Sequence, residues 1–329
     1  MKTLILAIFL SLIPTAKAQY DGVQKYLDSG NYPKAIQTLL SKGTVFLNKN
    51  PRYYESLATL YSFNGEEKRA LEYMDKWYAS SGYPPRDNLV SIPNNLLIVD
   101  AAKHISEISK NFYFLLINEA HHVPKHRRFT QSLLRSLWKS GFRSLGLEGL
   151  QESDKVLNQR GHAIRGKSGF YFHNKDLIEM VNEALEIGYY VFSYDHNPNC
   201  DPFTDPTKNC QNLREEDQAK NILQFSQSPR SKGKVLIHAG YGHIAKKGDA
   251  KWTPMAQRLG QMVNKKILCI DQTSWSQRFL KKYESPYYKK IEENYPLTHD
   301  SVIFMSGISP YVPVEVDGIY DILVYHSRR

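Results

Sequence analysis

The sequence predicts an α/β domain with a mainly parallel sheet flanked by helices, preceded by a small all-α module of helical repeats. Three observations carry this. From residue 95 onward, short apolar runs alternate with amphipathic helical patterns, the arrangement that builds a parallel sheet covered on both faces. Three of those runs break at their carboxyl ends into acids and histidines, where such sheets hold their ligands. Before residue 83 there is a self-similar helical pattern instead: Gly30-Asn31-Tyr32-Pro33-Lys34-Ala35 recurs as Gly65-Glu66-Glu67-Lys68-Arg69-Ala70, an offset of 35.

The chain opens with Lys2, an apolar stretch from Leu4 to Leu12, Pro14 and Ala16-Lys17-Ala18. The apolar stretch is too short to span a bilayer, and its charged start and small-residue end predict a signal peptide over residues 1–18. The mature protein is then expected to begin at Gln19 and to be exported to a periplasmic or extracellular space. No later run is long enough for a transmembrane segment. The formal charge of +10 loses two units with Lys2 and Lys17, and the remaining basic pairs, such as Lys246-Lys247 and Lys289-Lys290, are scattered along the chain. That pattern reads as a solvated basic surface, and no nucleic-acid partner is expected.

Residues 19–82 hold the repeats. Each copy closes one helix and opens another, a pattern similar to tetratricopeptide repeats. Two repeats are too few to bury a stable core, so the module is expected to lean on the larger domain C-terminal to it. It would act either as a groove for a protein partner, through residues 20–82, or as a helical cap on the second domain. Residues 83–94, with Tyr83-Pro84-Pro85, read as the linker. The second domain, 95–329, has strand candidates at Asn95 to Val99, Phe112 to Ile117, Ser144 to Leu147, Tyr189 to Tyr194, Lys234 to Ile237, Ile267 to Ile270, Val302 to Met305 and Ile319 to Tyr325. Between them, Pro124 opens a helix whose apolar face is Phe129, Leu133, Leu134, Leu137 and Trp138, stopped by Gly141. Asn174 caps another, stopped by Gly188. Further helices are expected near Asn212 to Phe225 and Thr253 to Val263. From Arg278 to Pro296 aromatics and lysines interleave without a clean period, which predicts a surface excursion beside the cleft. Cys200 and Cys210 flank a Pro- and Asp-rich loop, and export into an oxidising space predicts a disulfide between them; their nine-residue gap fits no common zinc spacing. Cys269, inside an apolar run, reads as a core thiol.

The candidate functional residues are Glu119, His121, His122, His126, Glu148, Arg214, Glu215, His238 and His243. A single histidine is more often structural than functional, but these gather at strand ends. Asn118-Glu119-Ala120-His121-His122 with Pro124, His126 and Arg127, followed by Leu147-Glu148, is similar to the first motif of the erythromycin esterase, ChaN and Tiki superfamily. Arg160-Gly161-His162, Gly169-Phe170-Tyr171, Tyr194-Asp195, the run from Arg214 to Asn221 and Gly240-Tyr241-Gly242-His243 continue the resemblance in order, as does the closing run from Tyr320 to Tyr325. Asn118 stands where that pattern usually has Gly, and the doubled histidine leaves two candidates for the inward role.

The resemblance implies a hydrolytic or metal-binding cleft, in a superfamily that includes macrolide esterases, metal-dependent peptidases and haem-binding proteins. Hydrolysis of an ester or amide in a small-molecule or peptide substrate needs an activated water, a base and a donor for the oxyanion. Glu119, His122, Glu148, Arg214 and His243 are assigned to that catalysis, with His122 as base and Arg214 as the group that steadies negative charge. His121, Tyr171 and His238 are assigned to substrate binding. Glu119, His122, Glu148 and His243 would share a divalent ion if one is bound, with zinc, manganese and iron all compatible with imidazole and carboxylate donors. Two alternatives stand beside the hydrolase: a haem or metal carrier using His121, His122 or Tyr171, and an interaction scaffold in which the repeats do the work. No Gly-x-Ser-x-Gly elbow is present, which disfavours a serine hydrolase of the common α/β type.

Overall fold

The computed structural model describes residues 22–86, 88–92, 96–195, 209–295, 297–305 and 318–328. The expected signal peptide and Cys200, and with Cys200 the expected disulfide, lie outside the described residues. Cys210 is buried at the start of a helix, and Cys269 is a free, buried thiol.

The first described part is helical: α1 (Gln24–Asp28), α2 (Tyr32–Leu40), α3 (Thr44–Lys49), α4 (Arg52–Phe63) and α5 (Glu67–Ser80). Gly30 and Gly65 both take a positive φ between one helix and the next, a conformation that glycine adopts without steric cost. At the first copy Asn31 caps α2 by accepting from the Lys34 amide. Leu27, Leu39, Leu57, Leu60 and Met74 form the centre of this layer.

Six strands then build the main sheet: β2 (Phe114–Glu119), β3 (Phe142–Leu147), β4 (Tyr190–Ser193), β5 (Lys234–Gly240), β6 (Ile267–Asp271) and β8 (Ile322–Leu323). They lie in the order β4-β3-β5-β2-β6-β8, with every pairing parallel. β2 is buried along its whole length, as its apolar run requires of a central parallel strand. One face packs on α6 (Ala101–Ile108), α7 (Pro124–Lys139) and α9 (Lys175–Ile187), through Ile105, Leu133, Leu137, Leu177 and Val181. A short helix, α8 (Leu157–Arg160), lies between α7 and α9 in the chain. The other face packs on α10 (Cys210–Gln227) and α11 (Met255–Met262), through Ala219, Ile222, Met255 and Leu259. Pro124 opens α7, Asn174 caps α9 by accepting from the Leu177 amide, and Gly188 ends α9 in the left-handed region, all as the sequence predicts.

Three expectations need correction. The first and seventh strands, β1 (Leu96–Asp100) and β7 (Ser301–Met305), pair antiparallel in a separate two-stranded sheet. Leu97 is 58% exposed, so β1 lacks the two covered faces that an interior parallel strand needs. The final strand shrinks to two residues. The aromatic and basic stretch is not a surface excursion throughout: it contains α12 (Pro286–Asn294), with Tyr288 and Ile291 buried, and Tyr283 joins the core of the helical layer by stacking on Tyr78 at 5.8 Å.

The helical layer packs against the α/β part. Asn174 Nδ2 donates to the Ser62 hydroxyl at 3.2 Å, the Tyr32 hydroxyl lies 3.1 Å from His173 Nδ1, and the Leu280 amide donates to Asp75 at 2.6 Å. The Phe63 ring sits 5.5 Å from both Phe170 and His173.

Candidate active site

The carboxyl ends of β2, β3, β4 and β5 deliver Glu119, Glu148, Asp195, His238 and Gly240 to one end of the sheet. β2 and β5 run in register, with Glu119 beside Gly240, so the acid of one strand and the turn after the other are neighbours by sheet geometry alone. Two buried carboxylates anchor the site, each held by an arginine.

Glu119 is the first anchor. Arg127, one turn into α7, donates to it bidentately, Nε to Oε2 and Nη2 to Oε1, both at 2.6 Å. His121 Nδ1 lies 2.8 Å from Oε1 and His238 Nε2 lies 2.8 Å from Oε2. Burial by itself would raise this carboxyl; Arg127 and then His238 reverse that and hold it well below the usual carboxylate range. An ionised carboxylate only accepts, so both imidazoles turn an N–H toward it. Nε2 of His121 and Nδ1 of His238 are turned away from that carboxylate, and each is buried with no hydrogen-bond partner among the described residues.

Glu148 is the second anchor. Arg214 Nη2 donates to its Oε1 at 2.8 Å while also gripping Asp195 through Nη2 and Nε at 2.6 and 2.8 Å. The other oxygen accepts from the Gly240 amide. Burial raises Glu148 too, but His243 and Arg214 bring it down to about 2. His243 lies with Nε2 3.6 Å from Glu148 and Nδ1 2.8 Å from Glu215. Burial works against its charge, yet Glu215 and Glu148 prevail and raise it above the ordinary imidazole value.

The doubled histidine divides its roles. His121 takes the carboxylate and lies under the Tyr171 ring, nearly parallel at 4.1 Å between centroids. His122 reaches the Tyr241 hydroxyl at 3.2 Å through Nδ1. Burial, then Arg278, keeps His122 well below the ordinary value and so neutral. Its Nε2 is also buried without a partner among the described residues. His126 is structural: it accepts from the Ala120 amide at 2.9 Å and pairs with Ser276 at 2.7 Å, fixing the start of α7. Asn118 is used in full. Its Nδ2 donates to Asp271 at 2.7 Å and to the Tyr241 carbonyl at 2.9 Å, while its carbonyl accepts from Gln272.

The arrangement thus brings together all eight residues assigned to catalysis or binding. It adds Arg127, Asp195 and Tyr241, which stand in the motifs of the resemblance but had no role assigned to them. Asp195 follows β4 just as Glu119 and Glu148 close or follow their strands, so a signal for it was present. Arg127 and Tyr241 lie beyond the strand ends, and no spacing rule points to them.

The donor set tests the fit of two cofactors. Both oxygens of Glu119 and both of Glu148 already accept from protein donors, and no group of three His, Cys, Asp or Glu side chains among the described residues is arranged to hold a metal ion. The four residues expected to share an ion, Glu119, His122, Glu148 and His243, do not form such a group. For haem, the donor available is an imidazole nitrogen without a partner among the described residues, at Nε2 of His121 and of His122.

No protein-family model matches the chain, and no curated protein matches it. Among solved structures, the type III effector HopBA1 aligns over 72% of this chain and 100% of its own, at 13% identity and a TM-score of 0.41. ChaN of Campylobacter jejuni, described with cofacial heme binding, aligns over 59% of this chain and 97% of its own, at 13% identity and a TM-score of 0.39.

Proposed function

We propose that the protein hydrolyses an ester or amide bond, with His121 as the general base. One observation carries this reading. The chain Arg127–Glu119–His121 holds a buried imidazole in one tautomer, with Nδ1–H on a carboxylate and the Nε2 lone pair uncommitted. That is how a histidine is prepared to take a proton from water. Glu119 orients the ring and stabilises the imidazolium that forms, and Arg127 keeps Glu119 ionised and still. Arg214 and His243 supply positive charge across Gly240, Tyr171 covers the ring of His121, and neutral His122 presents a second lone pair. This gives His121 the role that the sequence reading assigned to His122, because Glu119 bonds the former and not the latter. No step is assigned to a metal ion.

The experiment is a panel of p-nitrophenyl and alkyl esters offered to the full chain, with His121→Ala beside the unaltered protein. Loss of the base is expected to lower the rate about a hundredfold or more while the circular dichroism spectrum stays the same. An unchanged rate would remove His121 from the chemistry.

A second reading, haem carriage without turnover, is favoured by the partnerless Nε2 atoms of His121 and His122. His121 or His122 would hold the haem iron through Nε2, and the group would supply iron for binding and carriage. A Soret band on adding haemin, lost in His121→Ala or His122→Ala and accompanied by no ester hydrolysis, would decide for it.

A further inference from the structure

From Ser29 to Tyr54 the chain carries four cations, Lys34, Lys42, Lys49 and Arg52, and no Asp or Glu. All four are exposed, and none forms a salt bridge among the described residues. By contrast Arg69 and Lys76, in the same helical layer, stand 3.4 and 2.8 Å from Glu66 and Glu72. Within the acid-free stretch, α3 and the turns beside it project from the layer. Of residues 41–50 only Leu47 is buried, while the adjacent Val45 and Phe46 are 72% and 38% exposed. Lys42 folds its stem back over two rings, with Nζ 5.1 Å from the centroid of Phe46 and 5.2 Å from that of Tyr53. Asn48 fixes the tip by accepting from the Tyr54 hydroxyl at 2.7 Å and from the Ser80 hydroxyl at 3.4 Å. The turn after Ser80, residues 81–86, brings no acid to this end of the layer either.

We propose that this tip docks on the surface of an anionic lipid bilayer, with Val45 and Phe46 entering the headgroup boundary and Lys42, Lys49 and Arg52 meeting the lipid charge. Both halves of the tip are used only there. A soluble polyanion would attract the cations and leave the apolar pair in water, whereas a bilayer accepts apolar side chains just below its charged layer. A stable protein interface takes about 20–30 residues a side, and a convex tip of ten residues, 41–50, offers less. A second copy of the chain would set cations against cations. A fluid surface closes around a convex tip, and lysine stems reach from the apolar boundary up to the headgroups. No helix among the described residues is long and apolar enough to cross a membrane, so the contact is peripheral. The tip carries none of the residues assigned to the site, so the docking stands whether or not the protein is a hydrolase.

The charge and the apolar pair set the character of the contact. Each cation brought near an anionic leaflet strengthens binding about fivefold, and the two apolar side chains add to this as they leave water. Exposed charges are screened within about 8 Å at physiological ionic strength. The docking is therefore reversible, requires anionic lipid and weakens as salt rises.

The test sediments the full chain with vesicles of phosphatidylcholine, either alone or mixed with phosphatidylglycerol. The protein should sediment with the mixed vesicles only. Lys42→Glu combined with Lys49→Glu should weaken that binding about a hundredfold, and Val45→Ser combined with Phe46→Ser about tenfold or more, with the circular dichroism spectrum unchanged in both. The control is Lys265→Glu combined with Lys266→Glu, which makes the same change in net charge ahead of β6. An equal loss in that control means that the whole basic protein is attracted and not the tip, and overturns the proposal. So does equal sedimentation with both lipid compositions, or sedimentation with neither. Capture of soluble poly-glutamate by a protein that ignores the vesicles would assign the face to an acidic polypeptide and overturn it as well. Phe46→Trp reads the insertion directly: its added emission should shift to the blue on mixed vesicles, and an unshifted spectrum on bound protein would refute entry of the tip.

Discussion

Arg127 is fully buried and forms its ion pair with Glu119 at 2.6 Å. Replacing one member of such a pair strands the other in a medium that solvates it poorly. Arg127→Ala is therefore expected to cost about 3–5 kcal/mol, read as a lower urea midpoint, and to abolish hydrolysis because Glu119 no longer holds His121. A urea midpoint equal to that of the unaltered protein would show that the pair is not formed in solution. Much at this scale was legible in the sequence. Glu119, Glu148 and His238 sit at or beside strand ends, where apolar runs stop and the chain turns polar. The division of labour between His121 and His122 was not, because it depends on which ring the turn after β2 aims back at Glu119. Arg127 was hidden for a similar reason: eight residues separate it from its partner, across a turn and the opening of a helix.

The elements show why glycine follows the fifth strand. A Cβ on Gly240 would lie 2.6 Å from Nε2 and Cε1 of His121 and 2.9 Å from Oε2 of Glu148, inside contact distance for all three. Its φ of −75° is ordinary for any residue, so the constraint is space and not backbone conformation. Gly240→Ala should displace His121 or Glu148 and lower ester hydrolysis tenfold or more, on the order of what a small misplacement at a reacting centre costs, with little change in helix content. A fully active Gly240→Ala would put the reacting centre elsewhere. Apolar runs and caps disclosed the sheet and its helices, because parallel strands covered on both faces leave an unmistakable composition and because Pro124, Asn174 and Gly188 act locally. The pairing of β1 with β7 was beyond such reasoning. It joins segments at the two ends of the second domain, and neither run records its partner.

Over the whole molecule, the buried charges make stability depend on pH, and in one direction once the pH is below about 4.5. Glu119 and Glu148 titrate lower in the folded chain than in the unfolded one, so their contribution is complete above about pH 4.5 and disappears as pH falls through the folded values, about 2 for Glu148. His122 and His126 are neutral when folded, both held well below 6.5 by burial first, with Arg278 and His326 respectively next. The unfolded chain takes up those protons from about pH 6.5 downward. His243 has the opposite sign, since its folded value is raised, and its contribution is present below 6.5 and fades as pH rises through that higher value. Between pH 6.5 and 4.5 the carboxyls of Glu55 and Asp75, pushed up by burial to about 7 and about 6, oppose the histidines, and the urea midpoint is thus expected to fall continuously only from about pH 4.5 to pH 3. A flat profile over that range would contradict the pairing of both carboxylates.

The helical layer is joined to the second part of the chain by residues that lie far from it in sequence. Tyr32 meets His173 across 141 positions and Asp75 meets Leu280 across 205, so the helical layer emerges long before the surfaces it rests on. Two repeats rarely bury a lasting core alone, so the contacts with Asn174, His173 and Leu280 are what complete the packing of this layer. Glu119, Glu148, Asp195 and His238 all precede β8 in the chain, so the acids and histidines of the site are made before the sheet gains its edge strand beside β6.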